Sequence, residues 1–309
     1  METKVAGPAS VRSAFTELID YAGLFPPAKL SLAQATAEYS EAQRGAHAWM
    51  LGRFIIPVTT LASSPQTGDG PFSVILDRGS DAATWAETIG SGIASVAALR
   101  DRGVRVEALE IPLPPAFSQD RSADEPLQRL RQLLESAKLS DLPVFVEFAR
   151  GEAWKAVVEH AMTAAMDAGC GAKIRCGGLT AEAFPSVDEV VGFIAAAVAA
   201  NVPFKATAGL HHPVRHYNAQ SGFTMHGFLN ILAATALAPR ADFETLQRVV
   251  AEEEPNAFQF EAEGLRWRDE RIGAEALKAC RHRAFVAYGS CSFNEPVEDL
   301  TALGILAVL

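Results

Sequence analysis

Eight short segments dense in Val, Ile and Phe recur along this 309-residue chain, and helical patterning separates most of them. They cover Glu17–Ala22, Gly52–Pro57, Phe72–Asp77, Val104–Ile111 and Pro143–Phe148, then the stretches around Lys173 and Lys205, and finally Arg283–Tyr288. Strands this apolar belong to a parallel sheet whose outer face is covered by helices. Eight of them in alternation with helices predict a closed (β/α)8 TIM barrel rather than an open sheet.

The intervening pieces carry their own start and stop signals. Ser31 caps a helix running to about Arg44, with Leu32, Ala35 and Tyr39 at helical spacing. A helix over Asp81–Asp101 ends at Gly103, and others are predicted over Ser122–Lys138, Glu152–Ala168, Val187–Ala200 and Gly222–Leu237. Two places break the rhythm. Thr59–Gly70 reads as a turn-rich loop with at most one short helical piece. The second break precedes the eighth strand, where Asp242–Glu253 reads as a surface helix and Phe258–Glu261 with Leu265–Arg268 as an exposed hairpin. A short helix over Ala274–Arg281 leads into strand eight, and a closing helix starts near Glu295. The expectation is one domain over residues 1–309 with an insertion at about 240–275.

With 49% hydrophobic and 21% charged residues, the chain can bury a large core without disulfide or metal staples. A net charge of −10 with no basic block argues against a general nucleic-acid binder. The longest apolar run, Val190–Val202, is interrupted by Gly192 and Asn201 and is too short to span a bilayer. No signal peptide is legible at the N-terminus, and Cys170, Cys176, Cys280 and Cys291 form no CxxC pair. A cytoplasmic protein is expected, with no membrane partner and with homo-oligomerisation left open. Cys176 reads first as a small buried residue.

Chemistry is expected where two of the strands carry lysines, in a chain with only 7 of them. Strand alternation puts Lys173 with Arg175, and Lys205 with Thr207, on the barrel-facing side near the carboxyl ends, where barrel active sites lie. Two ammoniums sharing a pocket would each make the other harder to protonate, and a neutral lysine attacks carbonyl carbon. Asp20, Glu110 and Glu147 fall at the same end, either as proton relays or as ion-pair partners for the lysines.

The run Leu18–Pro27, with Ile19-Asp20 at its start, resembles the opening strand of the deoxyribose-phosphate aldolase family. Leu142–Glu147 resembles that family's fifth strand, Lys173 followed by Gly177 its Schiff-base strand, and Phe204–Gly209 the strand whose lysine tunes the first. Gly289-Ser290-Cys291-Ser292 resembles its last phosphate-binding turn. The resemblance implies an aldolase-type barrel and a class I, carbon–carbon lyase chemistry without a cofactor. Three departures stand out. Ala108 occupies the place of the family's strand-four aspartate, with Glu110 two residues on and on the same face. Ala208–His212 replaces a Gly-Gly phosphate turn, and the insertion before strand eight has no counterpart.

Histidines form the second signal. His211, His212 and His216 follow the seventh strand with Arg215 among them, and His226 comes before the next helix. Together with Arg175, Thr207, Gly209, Gly289, Ser290 and Ser292, they are candidates to hold a phosphate or carboxylate. The alternative is a divalent metal on His211, His212 and His216 in a metal-dependent lyase or hydrolase. The leading expectation is a Schiff-base lyase acting on a small carbonyl compound with an anionic group, with Lys173 as nucleophile. A third reading is a non-catalytic small-molecule-binding barrel.

Overall fold

Strand-to-helix alternation closes on itself because each apolar strand pairs in parallel with the next while its helix covers the outside. The computed structural model describes residues 9–64, 68, 70–79, 81–118, 123–151, 154–219 and 221–307. A first helix, α1 (Ala9–Phe15), precedes β1 (Ile19–Tyr21). The chain then continues through α2 (Leu32–Arg44), β2 (Leu51–Pro57), α3 (Val58–Ser63), β3 (Phe72–Ile75), α4 (Ala82–Asp101) and β4 (Val106–Pro112). Next come α5 (Asp124–Ser136), β5 (Val144–Glu147), α6 (Trp154–Asp167), β6 (Gly171–Arg175), α7 (Val187–Ala199) and β7 (Phe204–Thr207).

A two-stranded ribbon, β8 (His216–Asn218) with β9 (Phe223–Met225), follows β7, and then α8 (Phe228–Leu237) and α9 (Phe243–Ala251). A three-stranded antiparallel sheet of β10 (Phe258–Glu261), β11 (Gly264–Trp267) and β12 (Glu270–Gly273) leads to α10 (Ala274–Arg283), β13 (Phe285–Ser290) and α11 (Asn294–Ala302). The barrel order is β1-β13-β7-β6-β5-β4-β3-β2, closed and parallel at every pairing. The predicted (β/α)8 TIM barrel is therefore the observed fold.

Local signals account for several boundaries. Ser31 and Ser186 each accept from the backbone of the third helical residue, Gln34 or Glu189, whose side chain reaches back to the cap. Asp81 caps α4 on Thr84, and α3 is the short helical piece expected after β2. The predicted starts of α5 at Ser122 and α6 at Glu152 lie outside the described residues.

Two expectations are corrected. Gly222–Leu237 is not one helix, because Phe223–Met225 pairs antiparallel with His216–Asn218. The intervening turn is tied by the Asn218 side chain, which accepts from the Ser221 amide at 2.9 Å, and Gly222 takes a φ of +77°. The hairpin before strand eight is not exposed. It gains a third strand, and Phe258, Leu265, Trp267 and Ile272 are buried against the neighbouring helices α1 and α10. Ser10 of α1 donates to the Glu261 carbonyl at 2.6 Å. Trp267 donates its indole N–H to Glu252 at 3.1 Å, and the same carboxylate pairs with Arg268.

Asn230 explains how these outer pieces are held to the barrel. Its amide nitrogen donates to the carbonyls of Val249 and Glu252, while its oxygen accepts from the Arg215 amide at 2.9 Å. One buried side chain thus joins α8, α9 and the segment after β7. Leu265→Ala is expected to destabilise the fold by about 2–5 kcal/mol, the range for a truncated core leucine. Urea denaturation measures it, and a loss below about 0.5 kcal/mol, typical of surface positions, would show the small sheet to be peripheral.

Candidate active site

The barrel interior at the carboxyl end of the strands holds a buried chain of charges. Lys173 and Lys205 face each other directly in the β6–β7 register. Glu110, at the same end of β4, reaches both ammoniums, at 2.9 Å to Lys173 Nζ and in direct contact with Lys205 Nζ. Lys173 also meets Glu147 on β5 at 2.8 Å, and Lys205 meets Asp20 on β1 at 2.6 Å. Lys173 and Lys205 are 4% and 1% exposed, so their pairs with Glu110 and Asp20 are made out of contact with bulk water, while Glu147 reaches the mouth. All five predicted central residues are therefore brought together.

Small residues make room for this network. Gly52 stands where a Cβ would lie 2.3 Å from Asp20 Oδ1, and the Asp20 carboxylate accepts from the next amide, Arg53 N–H, at 2.6 Å. Ala108 points into the barrel without a polar group, and Glu110 two residues along supplies the strand-four acid. Below the charges, the Phe145 ring lies 5.6 Å from Lys205 Nζ, and Gly171 leaves space for that ring. Ser73 is the one polar residue of β3. Its hydroxyl donates to Glu110 at 2.7 Å and accepts from Lys205 at 3.1 Å. The sequence reading missed Ser73, although a lone serine in an otherwise apolar strand was a usable signal.

Burial disfavours the charge on Glu110, but the ammoniums of Lys173 and Lys205 outweigh it and hold the carboxyl well below the usual carboxylate range. Burial likewise disfavours the Lys173 ammonium, and Glu110 with Glu147 outweighs that too, raising it above the ordinary lysine value. The expected mutual deprotonation of the two lysines is thus reversed for Lys173. A carboxylate lies between the ammoniums, so attraction replaces repulsion.

The mouth above this network opens into a cavity of about 370 Å³ over the ends of β2 to β6. Glu147 and Arg175 line it, 3.8 Å apart, together with Asp77 and Arg78 after β3. Arg78 had no sequence signal, since a loop arginine looks like any other.

The remaining candidates are dispersed. Thr207 stands beside Gly289, where an added Cβ would lie 3.0 Å from its hydroxyl. Gly209, at φ +70°, approaches the backbone of Cys176 and Gly177, so it closes the ends of β6 and β7 rather than facing a ligand. Arg215 turns away toward Glu253 at 3.6 Å. Ser290 donates to the Ser292 carbonyl at 2.6 Å, and Ser292 Oγ accepts from the Glu295 amide.

His211 lies 3.3 Å from Glu295, and His212 lies 2.6 Å from Asp299, both acids on α11. Burial pulls His211 down, but Cys291 and Glu295 outweigh it and raise it to about 9. His216 contacts the Val214 carbonyl and packs edge-on against His212, and burial lowers its pKa. His226, buried and bonded to the Pro185 carbonyl, is lowered by burial to about 4. Among the described residues no three His, Cys, Asp or Glu side chains are arranged to hold a metal ion. Cys176 is fully buried, which pushes its thiol up to about 12. Among the described residues no helix is long and apolar enough to cross a membrane.

Lys205→Met leaves Asp20 and Glu110 facing each other in the core, and a cost of about 3–5 kcal/mol is expected in urea denaturation. Adding Asp20→Asn should restore part of it; a single-variant cost under about 1 kcal/mol would contradict the network. The pH dependence follows from the signs. Glu110, lowered by folding, contributes fully above its unfolded value of about 4.3, and that contribution is lost as pH falls further. Lys173, raised by folding, contributes fully below about 10.4 and loses it as pH rises beyond. His211, raised to about 9, contributes fully below about 6.5 and loses that between there and pH 9. Stability is therefore expected to decline shallowly from pH 6.5 to 9, and His211→Gln to flatten that step.

Comparison with known proteins assigns no family: no protein-family model matches this chain, and no curated protein matches it at a significant level.

Proposed function

We propose that this barrel is a Schiff-base lyase of the class I aldolase kind, acting on a small carbonyl compound, with Lys173 as the nucleophile. The observation that carries it is the contact between Lys173 Nζ and Glu147 Oε2 at 2.8 Å, with Glu147 lining the open cavity above. Lys173 thereby has both a proton acceptor and a route to a ligand.

The resting ammonium is not nucleophilic, so the first step is proton transfer to Glu147. The freed Nζ lone pair then forms the C–N bond to the carbonyl carbon, and the carbonyl oxygen takes the proton back from Glu147. Loss of that hydroxyl as water gives the protonated imine. In total, two of the three ammonium protons leave with the carbonyl oxygen, and one stays on nitrogen. The iminium then accepts the electron pair of a neighbouring carbon–carbon bond as it breaks, while Glu147 takes the proton of the departing alcohol. Glu110 supports this by remaining anionic between the lysines. With Asp20, Lys205 and Ser73, it offsets the charge that Lys173 gains and loses. Four free cysteines agree with a reducing compartment such as the cytoplasm.

A second reading, a binding barrel without turnover, is favoured by one observation: both lysines are fully paired in the resting state. Borohydride reduction in the presence of a panel of aldehydes and ketones separates the two. A reduced adduct on Lys173 by mass spectrometry is expected, absent in Lys173→Ala and formed about 10²–10⁴ times more slowly in Glu147→Gln. If a broad panel leaves Lys173 unmodified while ligands still raise the melting temperature, the binding reading replaces the lyase.

A further inference from the structure

Barrels of this kind frequently hold a phosphate at the loops after the last two strands. Here that corner, after β7 and β13, is filled by the protein's own acids. Glu295 sits at 3.3 Å from His211 and 3.9 Å from His212, and Asp299 at 2.6 Å from His212. The Ser290 hydroxyl, which would greet an anion, is engaged as well, donating to the Ser292 carbonyl. A phosphate arriving here would meet two carboxylates.

The open cationic position lies on the other side of the mouth. Arg78 and Arg175 line the cavity over β2 to β6, and Arg78 has no ion-pair partner among the described residues. Arg175 keeps half of its side chain exposed, with Glu147 no nearer than 3.8 Å. Asp77 and Glu147 line the same cavity, so its formal charges balance. One added negative charge is matched there better than the two of a phosphate ester. Lys173 and Arg175 are two residues apart on one face of β6, about 6.4–6.8 Å along the strand. A group held by Arg175 is therefore only a few bonds from a carbonyl carbon at Lys173.

Resting on the imine-forming reading above, we infer that the cavity takes a short oxo acid, its carboxylate one to three bonds from the carbonyl carbon and held by Arg78 and Arg175. The acids of the opposite corner disfavour a phosphate at that corner.

The test compares borohydride trapping of pyruvate, acetoacetate and levulinate with that of hydroxyacetone and its phosphate ester. At least one oxo acid is expected to modify Lys173 ten-fold or more faster than hydroxyacetone. Arg78→Ala and Arg175→Ala each remove that preference, read as the ratio of oxo-acid to hydroxyacetone trapping within the same variant, and His212→Ala leaves the ratio intact. Faster trapping of the phosphate ester or of hydroxyacetone, or loss of the preference in His212→Ala, overturns the inference while the imine chemistry stands. If nothing traps, the imine reading fails and calorimetry with lactate and inorganic phosphate decides the rest. Lactate binding lost in Arg175→Ala sustains the carboxylate site, whereas tighter phosphate binding, or no binding of either, overturns it.

Discussion

A carboxylate set between two buried ammoniums governs this structure. Neither lysine could stay protonated inside the barrel unpaired, because desolvating an isolated ammonium is so costly that the group gives up its proton instead. Glu110 makes both positions tenable at once, and Glu147 and Asp20 complete the pairing on either side. The barrel must then reserve its interior for polar contacts at one end. It does so with Gly52 and Ser73, while Phe145 fills the space beneath.

That arrangement has a chemical consequence for the proposed reaction. A lysine held protonated by carboxylates is stable at rest, and its activation depends on a proton acceptor already in contact. Glu147 differs from Glu110 in this respect. Both touch Lys173, but Glu147 also borders the cavity, so only its environment changes when a ligand enters. The two carboxylates can therefore divide the work between holding charge and moving it, on the principle that environment rather than residue type sets the role.

The histidine group illustrates how an apparent site can be a structural device. His211, His212 and His216 follow β7 as a dense polar run, and their spacing alone suggested a ligand set. In three dimensions α11 returns after the last strand and brings Glu295 and Asp299 onto them. The result joins the last barrel strand's helix to the β7 loop. Asn230 behaves alike on a smaller scale, since its three partners come from segments that no local pattern connects.

The sequence by itself determined the barrel, because strand and helix periodicities are local and eight alternations leave few ways to bury both faces. It also determined which side of β6 and β7 carries the lysines, since alternation along a strand is a matter of covalent geometry. It did not determine the protonation of Lys173. That depends on Glu110 and Glu147, 63 and 26 positions away, and so on barrel closure. The burial of the small sheet and the presence of Arg78 at the mouth were likewise decided by tertiary structure. Each depends on which distant segment lies opposite, and hydrophobic periodicity within a segment carries no information about its partner.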